Sequence, residues 1–125
     1  MDVEFDFDGR VALVTGACGA LGSAVVTAFR DAGATVAAAD VVEPDDEDSL
    51  LDAGDGVEFY HGDFTDEEDV SRVVESVVED HGGVDFLANV AGTWRGGDPI
   101  HETDADTFDF LFDVNLKTMF LASKH

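Results

Sequence analysis

Arg10-Val11-Ala12-Leu13-Val14-Thr15-Gly16-Ala17-Cys18-Gly19-Ala20-Leu21-Gly22 is the stretch from which the rest of the chain is read. Residues 10–15 form a short apolar run that stops at glycine, suited to a strand buried on both faces. The period then changes. Leu21, Ala24, Val25, Ala28, Phe29 and Ala32 recur at helical spacing, and Gly33 stands where a helix C-terminus favours glycine. Thr35–Asp40 predicts the next strand. Strand, helix and strand within about thirty residues make a βαβ unit, which is nearly always right-handed.

The pattern repeats downstream. Glu43 to Asp55 reads as an acidic loop with a short helix around Ser49-Leu50-Leu51. Val57–His61 alternates and predicts a third strand. Thr65 and Glu68 have the spacing of a capping box, and Val70, Val73, Val74, Val77 and Val78 predict the buried stripe of the helix they open. Gly82-Gly83 ends it, and Val84–Val90 predicts a fourth strand. A glycine-rich loop runs from Ala91 to Ile100. The last helix is expected from Thr103, with Asp106 at capping-box spacing and a stripe of Phe108, Leu111, Phe112, Asn115, Met119 and Phe120. The expectation is an α/β fold, a Rossmann-type doubly wound parallel sheet of strand order 3-2-1-4.

The chain has 125 residues, enough for one domain over 1–125, and 45% are hydrophobic, enough for a core. Twenty-nine acidic residues face six basic ones, a net charge of −23. That excludes a nucleic-acid role, since phosphate neutralisation requires Lys and Arg, and it argues against anionic membrane surfaces. The carboxylates are spread along the chain rather than gathered in a tail. This predicts a solvated acidic surface of the kind halophiles use. No run is long and apolar enough to span a membrane. The acidic start lacks the basic region of a signal peptide, and Cys18 has no cysteine to pair with, so a cytoplasmic protein is expected. His61, His81, His101 and His125 show no metal-ligand spacing, so no metal is expected.

A strand that ends in glycine and turns into a helix aims backbone N–H groups at one spot, and the helix dipole adds partial positive charge there. A diphosphate fits that spot, and Gly16, Gly19 and Gly22 allow close approach. Asp40 ends the second strand, 24 residues after Gly16. A carboxylate there accepts hydrogen bonds from adenosine ribose hydroxyls and repels a 2′-phosphate. No Arg or Lys stands in the glycine loop or just after Asp40. The expected cofactor is therefore NAD rather than NADP.

Gly9-Arg10-Val11-Ala12-Leu13-Val14-Thr15-Gly16, Asp40, Gly62-Asp63-Phe64-Thr65-Asp66, Asn89-Val90-Ala91-Gly92 and Asp113-Val114-Asn115-Leu116 follow one another in a recognisable order. In this the chain resembles the short-chain dehydrogenases/reductases of the classical type, over essentially its whole length. The resemblance implies roles. Gly16, Cys18, Gly19 and Leu21 would line the pyrophosphate and ribose. Asp40 and Val41 would hold the adenosine ribose. Asp63 would bond the adenine amino group, with Phe64 beside it. Asn89, Ala91 and Gly92 would sit against the nicotinamide-side ribose. Asn115 is the one catalytic residue it supplies, distorting its helix and holding a relay water through its carbonyl. Two positions depart from the family pattern. Ala20 replaces a glycine, giving a spacing that leans towards the extended branch with its sugar-nucleotide epimerases. Val90 stands where a second Asn is usual.

The family's Ser and Tyr-x-x-x-Lys are not in this sequence. Its one tyrosine, Tyr60, is followed four residues on by Phe64, and it falls in the third strand. It reads as a packing residue. Ser123 and Lys124 read as helix surface, and Trp94 and Arg95 as loop residues that could face substrate. Members of that family are about twice as long, so the resemblance implies a sheet truncated after the fourth strand and the helix that follows it, and a chain that is the N-terminal half of an NAD-dependent oxidoreductase acting on an alcohol or carbonyl, inactive alone. The alternatives are a non-catalytic NAD-binding or partner-binding module and a fragment of an extended-type epimerase. The fourth strand would be an open edge, and the helix of Asn115 lies where the family dimerises, so a homo-oligomer is expected.

Overall fold

The computed structural model describes residues 2–125. Its strands are β1 (Val11–Thr15), β2 (Thr35–Asp40), β3 (Val57–His61) and β4 (Phe86–Ala88). Its α-helices are α1 (Ala20–Asp31), α2 (Glu67–His81), α3 (Ala105–Phe112) and α4 (Thr118–Lys124). The sheet is parallel throughout, in the order β3-β2-β1-β4, as the sequence predicts.

Side chains of β1 and β2 alternate between two cores. Leu13, Ala37 and Ala39 face Val70, Val73 and Val77 of α2 and Leu121 and Ala122 of α4. Val14, Val36 and Ala38 face Val26 of α1, with Ala17, Cys18 and Leu51. The small alanines of β2 let helices approach both faces closely. At the N-terminal side Phe7 packs against Phe86, with ring centroids 4.8 Å apart, and Phe29 stacks on the same ring at 5.6 Å. The Phe7 amide donates to the Ala32 carbonyl, tying the arm to the end of α1.

Several local expectations are corrected. α1 does not bury Leu21, Ala24 and Ala28, which are exposed. Its inner face is Gly22, Val25, Val26 and Phe29. Alanines leave two overlapping apolar stripes in this sequence, and the close approach allowed by Gly22 selects one of them. No helix forms at Ser49-Leu51. Leu51 drops into the core from an irregular loop, and the Leu50 amide donates to the Cys18 carbonyl. Asp66, not Thr65, caps α2, accepting from the Glu68 amide, because the Thr65 hydroxyl is taken by Asp63. Val78 is exposed at the far end of the stripe. β4 is only Phe86–Ala88, shorter than the expected 84–90, since Val84 and Asp85 belong to the turn that enters it.

Asp104 caps α3, accepting from the Thr107 amide. Between α3 and α4 the backbone widens into a π-helical turn, Asp113–Lys117. The residues this segment buries are Thr118, Leu121 and Ala122, whereas Phe108, Phe112, Met119 and Phe120 of the expected stripe are exposed. The sheet offers them no layer to pack against, because β4 is its last strand. Among the described residues no helix is long and apolar enough to cross a membrane.

Candidate functional site

Every parallel strand delivers its loop to the same end of the sheet, and there a cleft of about 680 Å³ opens. Its floor is the turn from β1 to α1. Gly16 has a positive φ of 63°, and a Cβ there would lie 2.8 Å from the Ala91 Cα. The β1 and β4 loops therefore touch backbone to backbone, which only glycine permits. A Cβ on Gly22 would lie 1.9 Å from the Gly16 carbonyl oxygen, so α1 sits directly on the turn. Gly19 has room around it, with only the Gly16 oxygen at 3.5 Å.

The start of α1 differs from those of α2 and α3. Asp66 and Asp104 cap α2 and α3 with their side chains. α1 begins at Gly19 with no side-chain cap and no acidic residue in its first turn. Its leading amides and dipole face the cleft without a side-chain cap.

Asp40 closes one wall. One carboxylate oxygen accepts from the Cys18 amide at 2.9 Å and the other from the Val42 amide at 3.1 Å. Each oxygen keeps a further lone-pair direction for a hydroxyl donor. Asp63 accepts from the Thr65 amide and hydroxyl through one oxygen, at 2.9 and 2.6 Å. Its own amide donates to Asp69, which, with Arg72 beside it, is held below the usual carboxylate range.

The opposite wall is the loop after β4. Buried Thr15 holds it, since its hydroxyl accepts from the amides of Val90 and Ala91 at 3.1 and 3.0 Å. Asn115, in the π-helical turn, holds the next residues. Its Oδ1 accepts from the Thr93 amide at 2.9 Å while its Nδ2 donates to the Thr93 and Leu111 carbonyls. A Cβ on Gly92 would lie 2.8 Å from that same Oδ1.

Of the residues named from the sequence, Gly16, Gly19, Leu21, Asp40, Val41, Asp63, Phe64, Ala91 and Gly92 line the cleft. Cys18, Asn89 and Asn115 do not. The Cys18 side chain is buried beneath the loop, its thiol donating to the Val42 carbonyl, and burial pushes its pKa up. Cys18 therefore acts on the cleft through its backbone N–H, which donates a hydrogen bond to the Asp40 carboxylate. Asn89 is exposed beside the wall, and Asn115 stands one layer behind it. Sequence reading missed Thr93, Phe110 and Thr118, which line the cleft, and the part that Thr15, at the start of the glycine loop, plays in holding the loop after β4. A threonine ending a buried strand was the available signal for Thr15, since a buried hydroxyl must find partners.

Tyr60 stands outside the cleft. Its hydroxyl donates to Asp80 at 2.7 Å and lies 3.1 Å from His81. Burial, with Asp80 and Glu58 alongside, pushes its pKa far above the ordinary phenol value. It cannot serve as a proton donor to a substrate in the cleft. Folding also brings His81 within 3.0 Å of Glu58, a grouping with Asp80 that linear spacing conceals.

A parallel sheet of order 3-2-1-4, an uncapped helix over a glycine turn and an acidic residue ending the second strand define a dinucleotide-binding α/β unit. Comparison with known proteins specifies which. The short chain dehydrogenase family model matches residues 10–125, and the chain belongs to that family. It is 37% identical over 122 residues to (+)-borneol dehydrogenase 2 of Salvia officinalis, covering 94% of this chain and 42% of the relative. It is 36% identical to a 3-oxoacyl-[acyl-carrier-protein] reductase of Thermotoga maritima, covering 90% of this chain and 47% of that one. Among solved structures, a short-chain dehydrogenase/reductase of Brucella melitensis, described as a glucose/ribitol dehydrogenase, superposes with a TM-score of 0.85 at 26% identity, over 98% of this chain and 52% of its own. A 3-ketoacyl-(acyl-carrier-protein) reductase of the same organism, complexed with NADH, gives 0.83 at 28% identity, over 95% and 49%. The chain thus spans about half the length of the relatives it matches, within a family of oxidoreductases with a nicotinamide-dinucleotide-binding fold.

Proposed function

We propose that this chain is the NAD-binding part, the N-terminal half, of an NAD-dependent oxidoreductase acting on an alcohol or carbonyl substrate. The observation that carries the reading is the uncapped N-terminus of α1 opening into a cleft whose wall is Asp40. Gly16, Gly19 and Leu21 hold the pyrophosphate, with Cys18 contributing by fixing Asp40 through the hydrogen bond its backbone N–H donates. Asp40 and Val41 take the adenosine ribose. Asp63, through its uncommitted oxygen, and Phe64 take the adenine. Ala91 and Gly92, with Asn89 at their edge, take the nicotinamide-side ribose. No Lys or Arg is among the lining residues, which favours NAD over NADP. Bound there, the cofactor supplies hydride transfer. Asn115 orients the nicotinamide-side loop through Thr93, and its backbone carbonyl, in the π-helical turn, would hold the relay water that the family resemblance implies.

The second reading, a module that binds without turnover, is favoured by the fate of Tyr60 and the lack of a Tyr-x-x-x-Lys pair in this sequence. Purified chain loaded with NAD and offered a panel of alcohols separates the two. Binding without NADH formation is expected of this sequence by itself. Turnover would show that a proton donor has been overlooked. The acidic composition further supports a protein adapted to high salt. The exposed faces of α3 and α4 support a homo-oligomer.

A further inference from the structure

The chain's arginines are Arg10, Arg30, Arg72 and Arg95. Arg10 pairs with Asp85 at 3.5 Å, Arg30 with Asp31 and Asp52 at 3.6 and 3.5 Å, and Arg72 with Asp69 at 3.3 Å. Arg95, among the described residues, has no carboxylate within ion-pair distance, in a sequence with 29 of them. It stacks instead on an aromatic ring, with its guanidinium carbon 4.0 Å from the centroid of Phe110. Phe110 and Thr93 line the cleft, and Arg95, itself exposed and outside the lining, lies against Phe110 beside it.

Asn115 grips both the amide and the carbonyl of Thr93, so the base of this loop is fixed. The nearby Asp104 is occupied with capping α3. Hydrogen bonds from Thr107 hold its carboxyl below the usual range, with the Arg95 charge a smaller contribution. Stacking on a ring leaves the in-plane N–H edge of a guanidinium free, and that edge matches a carboxylate or phosphate with two parallel hydrogen bonds. An anionic substrate approaching a chain of net charge −23 is otherwise repelled.

We propose that Arg95, stacked on Phe110 just outside the nicotinamide-side wall, receives an anionic group on the substrate, so that the alcohol or carbonyl compound carries a carboxylate or a phosphate. This rests on the reading of the cleft as an NAD site. Trp94 is the chain's only tryptophan, is exposed, and neighbours Arg95, so its fluorescence reports the event.

The test titrates NAD-loaded chain at fixed ionic strength with 3-hydroxybutyrate, glycerol 3-phosphate and the neutral 2-butanol, for wild type, Arg95→Gln and Arg95→Lys. Wild type is expected to bind at least one anion about tenfold or more tightly than the neutral alcohol. Arg95→Gln abolishes that preference without changing affinity for NAD, and Arg95→Lys retains part of it. Which anion wins distinguishes carboxylate from phosphate. NAD binding with no Arg95-dependent preference for either anion overturns this proposal and leaves the cofactor reading intact. No NAD binding overturns both.

Discussion

The carboxylate of Asp40 and the backbone amide of Cys18 lie 2.9 Å apart, joining the end of β2 to the turn at the end of β1. One residue thereby does two things. It fixes the shape of the glycine turn, and it presents the remaining lone pairs of an anion to the cleft. The turn and the wall are a single hydrogen-bonded unit rather than two features that happen to be adjacent.

The glycines of that turn are not equivalent. A Cβ on Gly22 would sit 1.9 Å from the Gly16 oxygen, whereas one on Gly19 meets that atom at 3.5 Å. Gly22→Ala should therefore lower unfolding free energy by about 3 kcal/mol through overpacking. Gly19→Ala should change it by less than about 0.5 kcal/mol. Urea denaturation of the two variants checks this, and equal midpoints would contradict the packing described for α1.

Thr15 predicts a different kind of loss. Thr15→Val keeps the shape but removes the acceptor of the Ala91 amide and one of the two acceptors of the Val90 amide, which also reaches the Ala88 carbonyl. The expected cost is about 1–2 kcal/mol, because the Ala91 amide is left unsatisfied. Thr15→Ser, which keeps the oxygen, should recover much of it. Amide hydrogen exchange should localise the change to residues 90–93.

Tyr60 sets the alkaline limit. Its folded pKa is raised above the unfolded value of about 10. A group with a raised folded pKa contributes stability that is complete below its unfolded pKa and is lost as pH rises beyond it. Stability should therefore decline above about pH 10. Tyr60 is the only tyrosine, so phenolate absorbance reports it alone. That absorbance should appear together with unfolding, and Asp80→Asn should bring it to lower pH. A Tyr60 that titrates near the ordinary phenol value in the folded chain would contradict its bond to Asp80.

The sequence made the sheet order readable because each strand of this fold carries its own punctuation: Gly16, Gly33, Gly82 and the alternation of 57–61. It made most of the cleft readable because the glycine turn, Asp40 and the residues around Asp63 are local motifs. What it concealed depends on tertiary contact. The inner face of α1 is chosen by how closely Gly22 lets the helix approach, and alanine-rich periodicity cannot express that choice. Asp66 displaced Thr65 as the cap because Asp63 claimed the hydroxyl. Thr15 and Thr93 acquire their roles from partners 75 and 22 residues away. The last helix kept its apolar stripe in sequence but not its burial, because burial requires a neighbour.

Charge sets the response to salt. A net charge of −23 repels itself in dilute buffer, and about 1 M salt shortens the screening length to about 3 Å. Melting temperature should rise between low salt and molar KCl, and a melting temperature indifferent to salt would count against a salt-adapted surface. Sedimentation in the same buffers should show self-association through the exposed Phe108, Phe112 and Phe120, strengthened as repulsion is screened.

The most direct test is competitive titration of the chain with NADH and NADPH, followed by nucleotide fluorescence, for wild type and Asp40→Ala. Wild type should prefer NADH by about tenfold or more, because a 2′-phosphate meets the Asp40 carboxylate. Asp40→Ala should weaken NADH binding and close the gap. Wild-type binding of the two nucleotides with equal affinity, or NADH binding indifferent to Asp40, would contradict the account.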